Sequence, residues 1–400
     1  MGGGGGLPGG GGGAIDGGDP SQPVPFLFST LGVPNTWAEL LFPTAGSSPP
    51  AFTVSEVTLS PPLSTTPACP EAFRGAVVLP DGRVLAIPFC VDRFAVIDPS
   101  AGTAQWVGPP LMSVRPVMAD PPGSYAGAVL GCDLRVYALP HFAETTMMRI
   151  TLEADGGLTF DELPLSLPGP HRLSGGVLAR SCSSGFRIIA AGRGGLFALD
   201  PTEGAVAVTP IPSAAAMGRD FVGVARLGDD RVVSAPSPLG ADFLTLWVDS
   251  NTLAVSSTSG NFNAERRFSL ATTSAGDAFV MTPGGTVTTQ YADGGMGSVR
   301  TTPSARLRWP TNSLTGWVFG AGAELMAWNE RTPPPDDVVL LSPAVNDTGN
   351  FTSGGLVLTR GGVLVSVPGV SGRSVVTIYT PSTTQPIELS QCLSPWFNKL

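Results

Sequence analysis

Charged side chains are scarce in this sequence, and lysine is nearly missing. Only 13% of the 400 residues are charged, against roughly 25% in an average globular protein. Lys399 is the single lysine, the net charge is −9 and the pI is about 4.7. Binding to nucleic-acid phosphates needs clustered lysine and arginine, and Arg266-Arg267 is the densest basic spot. We therefore expect no DNA or RNA partner.

Histidine is almost absent too, which narrows the catalytic chemistry. His141 and His171 are the two histidines, so a zinc site with several histidine ligands cannot be built. No Gly-x-Ser-x-Gly elbow accompanies them, so a Ser-His-Asp triad is not indicated. Paired carboxylates could serve a glycosidase, but the candidates recur at equivalent turns, where aspartate is favoured by its own backbone hydrogen bonds. These are Asp81, Asp133, Asp229, Asp230 and Asp277. We expect no catalytic residue and no enzyme activity.

Metal and cofactor motifs are also missing. No Cys-x-x-Cys pair, phosphate-binding loop or EF-hand spacing is present. Calcium prefers oxygen ligands, and the best candidates to supply them are Asp336-Asp337 and Asn346-Asp347. We expect no cofactor-binding residue and no other metal site.

Long apolar runs are lacking as well. None reaches the 18 residues of a membrane-spanning helix, and the N-terminus has neither the charged nor the apolar region of a secretory signal. We expect no membrane span and no signal peptide in this chain. Few charges with many Gly, Ser and Thr residues are nevertheless typical of extracellular proteins. A virion protein, which leaves its host by lysis, would satisfy both observations.

Glycine and proline, at 52 and 40 residues, are abundant and favour short strands with tight turns over long helices. They divide the chain into three parts. Residues 1–20 form a glycine-rich arm, and residues 21–68 form a Pro/Ser/Thr-rich connector. The connector holds an apolar patch, Phe26, Leu27 and Phe28, and Trp37 in a short predicted helix capped by Thr36. These apolar residues are expected either to anchor a partner or to pack on their own domain. Residues 69–400 carry repeats.

The first repeat is the clearest. It reads as an apolar strand, a Pro-Asp-Gly turn and a second apolar strand over Arg74–Pro88. A third strand ends at Asp98-Pro99, and an outer strand follows at Thr103–Val107. Short apolar runs divided by Asp-Gly are the signature of β-hairpins.

Six further units follow with the same order of short apolar runs. Their first and second strands are predicted at 126–130 and 134–139, 175–179 and 186–190, 222–227 and 231–235, 268–272 and 278–281, 316–319 and 324–328, and 355–358 and 362–367. Corresponding positions recur every 38 to 52 residues or so, which brackets the spacing of propeller repeats.

The patterns Gly-x-Val-x-Leu-x-Asp-Gly-Arg-Val and Val-Ile-Asp-Pro-x-x-Gly-Thr resemble β-propeller repeats of the kelch-like and YVTN-like kind. The resemblance covers about residues 70–390. It implies an all-β fold, a β-propeller of about seven four-stranded blades with an extended Gly/Pro-rich N-terminal arm. A pair of β-sandwich domains is the alternative architecture, but self-similarity over more than 300 residues favours the propeller.

The five cysteines allow more than one interpretation. They can be small buried hydrophobes, and their odd number leaves at least one unpaired within the chain. Cys132 and Cys182 fall near equivalent turns of adjacent repeats, so a disulfide between them is conceivable. Cys69 and Cys392 flank the repeats and could staple a closed ring.

These observations lead to one functional hypothesis and two alternatives. The first is a non-enzymatic structural or interaction protein of a virion (tail, fibre or capsid surface) or other extracellular assembly, anchored to other subunits by its N-terminal arm. The second is a soluble or cell-surface propeller that binds carbohydrate or another ligand, with surface glycans as partners. The third is a hydrolase or lyase on a propeller scaffold, against which the poverty in His and Lys argues.

Overall fold

The computed structural model consists of seven four-stranded antiparallel sheets. It describes residues 52–61, 72–111, 123–141, 146–167, 173–179, 186–212, 221–226, 231–236, 244–259, 269–272, 278–281, 286–290, 296–301, 308–312, 317–321, 325–329, 338–340, 353–359, 363–369 and 374–382. Every regular element in these ranges is a strand. None of the described segments is a helix that could cross a bilayer.

The first three blades take their strands consecutively along the chain. Blade 1 comprises β2 (Phe73–Val78), β3 (Val84–Pro88), β4 (Phe94–Asp98) and β5 (Thr103–Val107). Blade 2 comprises β6 (Tyr125–Leu130), β7 (Val136–Pro140), β8 (Thr146–Leu152) and β9 (Leu158–Pro164). Blade 3 comprises β10 (Leu173–Leu178), β11 (Ile188–Gly192), β12 (Gly195–Pro201) and β13 (Val206–Pro210).

Blades 4 to 6 follow the same rule. Blade 4 comprises β14 (Phe221–Arg226), β15 (Arg231–Pro236), β16 (Leu244–Asp249) and β17 (Val255–Ser259). Blade 5 comprises β18 (Ser269–Thr272), β19 (Ala278–Met281), β20 (Thr286–Gln290) and β21 (Met296–Thr301). Blade 6 comprises β22 (Arg308–Asn312), β23 (Trp317–Ala321), β24 (Leu325–Asn329) and β25 (Val338–Leu340).

Blade 7 combines the first strand along the chain with the last three. Its inner strands are β26 (Ser353–Leu358), β27 (Leu364–Pro368) and β28 (Val375–Pro381), and its outer strand is β1 (Phe52–Thr58). The seven first strands contact one another in a closed circle, β2 touching both β6 and β26. The fold is therefore a seven-bladed β-propeller, as the repeats predicted.

The closing strand β1 lies inside the segment 21–68 that the sequence indicated as a connector, so the ring begins upstream of residue 69. Phe52 pairs with Pro381 and Thr58 with Val375. Leu59, which follows, is fully buried, and its N–H donates to the Ser374 carbonyl at 2.7 Å. Repeat matching misses such a strand because its partner is more than 300 residues away, although pairing it removes a bare sheet edge.

The sixth blade differs from prediction by one strand. The apolar runs at 316–319, 324–328 and 338–341 were expected as first, second and third strands, but they form the second, third and fourth. The first strand is β22, which reads Arg-Trp-Pro-Thr-Asn. Its arginine, proline and two polar residues hide it from a search for apolar runs.

A β-bulge and a glycine shape the inner strands. In six of the seven blades the pairing of the first and second strands contains one register shift. In blade 1 this shift lies between Phe73 and Ala76. Gly75 lies in that bulge with φ +90°, and a Cβ there would stand 3.0 Å from the Cα of Gly127 in blade 2. Likewise a Cβ on Gly355 would stand 2.9 Å from the Gly75 carbonyl carbon. Neighbouring blades thus meet backbone to backbone, which only glycine allows.

The core lies between the blades. All five residues of β3, β7, β11 and β27 are buried, because inner strands are covered on both faces. Phe73, Tyr125 and Phe221 are fully buried at equivalent positions. Burial of each such side chain stabilises the fold by about 1.5–3 kcal/mol. This packing gives the loops at either end a rigid base.

Candidate interaction face

The ring has two ends that differ in construction. The turns joining first to second strands and third to fourth strands gather at one end, which we call the turn face. The loops joining second to third strands, and the connections between blades, gather at the other end, which we call the loop face. Antiparallel order within each sheet requires this separation.

Aspartates on the turn face serve their own turns. The Asp98 carboxylate accepts hydrogen bonds from the Ser100 N–H (2.9 Å), the Ser100 hydroxyl (2.6 Å) and the Ala101 N–H (3.0 Å). These bonds, the Ser100 hydroxyl first, hold the pKa of Asp98 below its usual value. Asp249 is held alike by the Thr252 N–H and hydroxyl, which lower its pKa. The prediction that these positions are turns is confirmed.

The first-to-second-strand turns use the same chemistry. Asp81 accepts from the Arg83 N–H at 3.1 Å, and Asp133 from the Arg135 N–H at 3.3 Å. The Tyr137 hydroxyl also donates to Asp133 at 2.7 Å. Burial, and then that carboxylate, raise the pKa of Tyr137 well above its usual range. Asp229, Asp230 and Asp277 lie outside the described residues.

Arginines link the turns of adjacent blades. Arg83 donates to the Gly156 carbonyl of blade 2 at 2.6 Å. Arg135 and Arg149 of blade 2 both reach Glu203 of blade 3, at 3.0 and 3.1 Å. The hydrogen bond from Arg135 is the main cause of the lowered pKa of Glu203. These arginines thus tie the turns of neighbouring blades together.

The loop face carries a different group, which we call the Arg74 cluster and define as Arg74, Phe89 and His141. The Arg74 guanidinium carbon lies 3.9 Å from the centroid of the Phe89 ring. The His141 ring belongs to blade 2. Its centroid lies 5.1 Å from the centroid of the Phe89 ring, and the two ring planes are tilted by 48°. The His141 Nδ1 is 2.6 Å from the Leu173 carbonyl oxygen of blade 3. Three blades therefore meet at this cluster.

Backbone hydrogen bonds fix the Arg74 cluster. The Ser124 N–H donates to the Phe89 carbonyl at 2.8 Å, and the His141 N–H donates to the Ser124 carbonyl at 2.9 Å. Gly123 leaves room for the Phe89 ring, since a Cβ there would lie 2.1 Å from it. Arg74 itself sits in the bulge of β2, and bulges re-aim the side chains they hold. Its counterparts in blades 2 and 3 are the small residues Ala126 and Ser174.

Sequence reasoning missed Arg74 and Phe89, although a repeated signal marks their position. Thirteen positions separate the bulge glycine from a proline ending the second strand in four blades. The pairs are Gly75 and Pro88, Gly127 and Pro140, Gly223 and Pro236, and Gly355 and Pro368.

The other residues singled out from the sequence fall as follows. Trp247 of blade 4 is buried. Trp106 stacks on Phe73 at 5.8 Å and donates to the Pro61 carbonyl at 2.7 Å. Positions outside the described residues are Phe26, Leu27, Phe28, Trp37, His171, Asp336, Asp337, Asn346 and Asp347. Among the described residues, no group of three or more His, Cys, Asp or Glu could hold a metal ion.

Both cysteines within the described residues are disulfide-bonded. They are Cys90, on the loop face after β3, and Cys132, in the turn before β7. The Cys132–Cys182 and Cys69–Cys392 pairings stay predictions, because Cys182, Cys69 and Cys392 lie outside the described residues. Cys90 carried no such expectation.

Comparison with known proteins places the fold. No protein-family model and no curated protein matches the chain. Virginiamycin B lyase from Staphylococcus aureus is similar with a TM-score of 0.59 and 11% identity, covering 82% of this chain and 99% of that one. The Cps50 (Swd1) β-propeller domain from Myceliophteria thermophila has a TM-score of 0.52 and 11% identity, covering 84% and 100%.

A third neighbour is the extracellular domain of a protein described as a hybrid two component system from B. thetaiotaomicron. Its TM-score is 0.56 with 10% identity, over 82% of this chain and 42% of that one. Similarity at this level of identity shows the fold alone, because one fold hosts many functions. By repeats, topology and structural neighbours, the chain is a β-propeller protein.

Proposed function

We propose that this propeller is a non-enzymatic interaction module of an extracellular assembly, with a virion tail, fibre or capsid surface as the favoured setting. The contrast between the two ends of the ring carries the proposal. The described arginines of the turn face hold turns together, whereas on the loop face the partly exposed Arg74 and His141 side chains lie against the buried ring of Phe89. Arginine and aromatic side chains are the types that dominate protein interfaces.

The places where the chain enters β1 and leaves β28 support an orientation in which the turn face is directed toward the anchor. Phe52 pairs with Pro381, and the Thr53 hydroxyl lies 3.5 Å from that of Ser382. The chain therefore enters and leaves blade 7 at one corner of the turn face. An anchor within residues 1–51, such as Phe26, Leu27, Phe28 and Trp37, holds the partner on that side. The loop face then points away from the anchor.

The extracellular setting is supported by the cysteines and the composition. Disulfides such as those of Cys90 and Cys132 form and persist in oxidising environments. The low charged fraction of 13% agrees with such a setting. The partners in this proposal are other protein subunits held by the N-terminal segment.

Sedimentation of the native source tests the proposal. The chain is followed across the gradient by mass spectrometry, and we expect it to travel with large particles at fixed stoichiometry. A recombinant chain carrying F26A, L27A and F28A should fail to bind particles from which the native protein has been removed. The matched R83A variant, altered on the turn face, should bind them. A native chain that stays soluble and monomeric would contradict the proposal.

A ligand-binding propeller is the alternative that the Arg74 cluster favours. The partly exposed guanidinium of Arg74 and imidazole of His141 are suited to acidic glycans, through charged hydrogen bonds. In this case a glycan array gives a signal that R74A removes and that does not need residues 1–51. A hydrolase or lyase would instead show turnover that H141A abolishes.

A further inference from the structure

The outer strand of blade 7 leaves one edge of its sheet open. β1 (Phe52–Thr58) pairs with β28 on its inner side and, among the described strands, with none on its outer side. We propose that this edge pairs with the same edge of a second copy of the chain, antiparallel and around a two-fold axis at Ser55. The proposal goes beyond the proposed function, because it concerns contact between copies and holds whether or not the chain joins an assembly.

The edge of β1 is less protected than the edges of the other outer strands. An open edge invites pairing with another chain, and proteins guard such edges with short strands, charges, prolines or bulges. β9 carries Asp161, Glu162 and Pro164, and β13 ends at Pro210. β5, β17 and β25 have five residues or fewer, and β21 pairs with β20 through a register shift. β1 has seven residues without proline or shift, and Glu56 is its one charge.

Half of the backbone groups of β1 point away from β28. The Leu59 N–H donates to the Ser374 carbonyl at 2.7 Å, in register with the seven pairs of β1. Bonded and non-bonded positions alternate in an antiparallel ladder, so the odd-numbered residues of β1 bind β28 as Leu59 does. The even-numbered residues direct their N–H and C=O groups outward. Among these, Val54, Glu56 and Thr58 are exposed to solvent.

Contacts on its inner side hold β1 in place as a preformed edge. Val57 packs against the buried core, Leu59 is fully buried, and the Trp106 Nε1–H donates to the Pro61 carbonyl at 2.7 Å. In the part of the chain whose burial is described, Val54 is the one large hydrophobic residue that is exposed, at 37%. A strand added to this edge therefore gains main-chain hydrogen bonds without the cost of ordering β1 first.

The sequence of β1 is complementary to itself in one register. Outward-directed groups meet only where even-numbered residues face even-numbered residues. Centring the pair on Ser55 aligns all seven residues of both copies and places each Glu56 opposite Val54 of the second copy. Centring it on Val54 or on Glu56 shortens the ladder. The choice of Glu56 would also put two carboxylates directly opposite each other, which is unfavourable.

The contact is small, so the dimer is weak and reversible. Two seven-residue strands bury far less than the roughly 1,200–2,000 Å² of a stable protein interface. Each copy also carries a net charge of −9, and the repulsion between copies opposes pairing. Because salt screens this repulsion and leaves backbone hydrogen bonds in place, association should strengthen as the salt concentration rises.

Analytical ultracentrifugation of the full chain tests the dimer, at concentrations from about 10 μM to about 1 mM because contacts of this size are weak. We expect monomer at the dilute end, dimer at the concentrated end, and tighter association in added NaCl. Glu56→Pro removes an outward N–H and no bond to β28, a position at which edge strands tolerate proline. This variant should unfold at nearly the wild-type temperature and stay monomeric throughout. The matched Glu56→Gln variant keeps the N–H and should dimerise at least as well as wild type. A proline variant that dimerises like wild type would overturn the proposal.

Val54→Lys tests the register. With the pair centred on Ser55, each new lysine faces Glu56 of the second copy, so the dimer should tighten roughly 5-fold at low salt. With the pair centred on Val54, the two lysines would face each other and the dimer would weaken, which would overturn the assigned register.

The variant carrying F26A, L27A and F28A separates this proposal from the anchoring role. It should dimerise as wild type does, whether or not it binds particles. Loss of the dimer in that variant, with the dimer kept in Glu56→Pro, would transfer the contact to the N-terminal segment and refute pairing through β1.

Discussion

The turn face and the loop face are built from the same repeat but use their polar side chains differently. On the turn face, Asp98 closes its own turn and Arg135 binds Glu203 of the next blade. On the loop face, Arg74 stacks on Phe89 and His141 reaches a carbonyl of a third blade. The first arrangement stabilises the ring, whereas the second holds in place the groups that we propose for recognition. Mutations at the two ends should therefore separate stability from binding.

The largest expected effect lies between the two ends, at the axis. Gly75→Ala puts a Cβ 3.0 Å from the Gly127 Cα at φ +90°, so blade packing and backbone are both strained. We expect a loss of about 3–4 kcal/mol in the free energy of unfolding, measured by urea denaturation.

Gly82→Ala is the matched control for that variant. Its φ is +92°, but a Cβ there meets nothing within 4 Å, so it should cost only the conformational strain of about 1–2 kcal/mol. Equal losses in the two variants would mean that contact between blades at the glycines adds nothing.

The second effect concerns the loop face. Arg74→Ala removes the cation above Phe89, and we expect binding of an acidic glycan at the loop face to weaken about 30-fold, or about 2 kcal/mol. Thermal unfolding should change little by comparison. Binding is measured on a glycan array, with Arg83→Ala as the turn-face counterpart. If both variants lose binding equally, the assignment of recognition to one end is wrong.

Most of the architecture follows from the sequence because turns and apolar runs are local. The turn sequence Pro80-Asp81-Gly82 predicts the first hairpin, and Asp98 predicts the next turn. What the sequence hides is non-local. The strand β1 has no repeat beside it, and β22 lacks an apolar pattern. The Arg74 cluster is hidden for the same reason, since Phe89 and His141 are 52 residues apart and meet only when blades close into a ring.

The third effect is on the turn face and depends on pH. Asp98→Ala removes three hydrogen bonds to the turn, and we expect a loss of about 1 kcal/mol at pH 7. The pKa of Asp98 is lower in the folded protein than the ordinary 3.8, so its contribution is present above that value and fades as the pH falls through the folded pKa. Wild type and variant should converge once the pH is below the folded pKa of Asp98. Urea titrations at pH 7 and at successively lower pH measure this, with exposed Glu162→Ala as the control that shows little difference throughout.

The smallest effect belongs to the exposed ion pairs between blades. Arg135→Gln loses the 3.0 Å bond to Glu203, whose side chain is 82% exposed. Water and salt screen such pairs, so we expect only a small loss of stability, and a smaller one still in 1 M NaCl. Arg187→Gln is the informative contrast, because Arg187 is only 17% exposed and grips Asp200 through two bonds of 2.8 and 2.9 Å. Its cost should be larger and less sensitive to salt. Equal, salt-sensitive losses at both arginines would contradict this, because they would mean that the half-buried Arg187–Asp200 pair stabilises the fold no more than the exposed Arg135–Glu203 pair does.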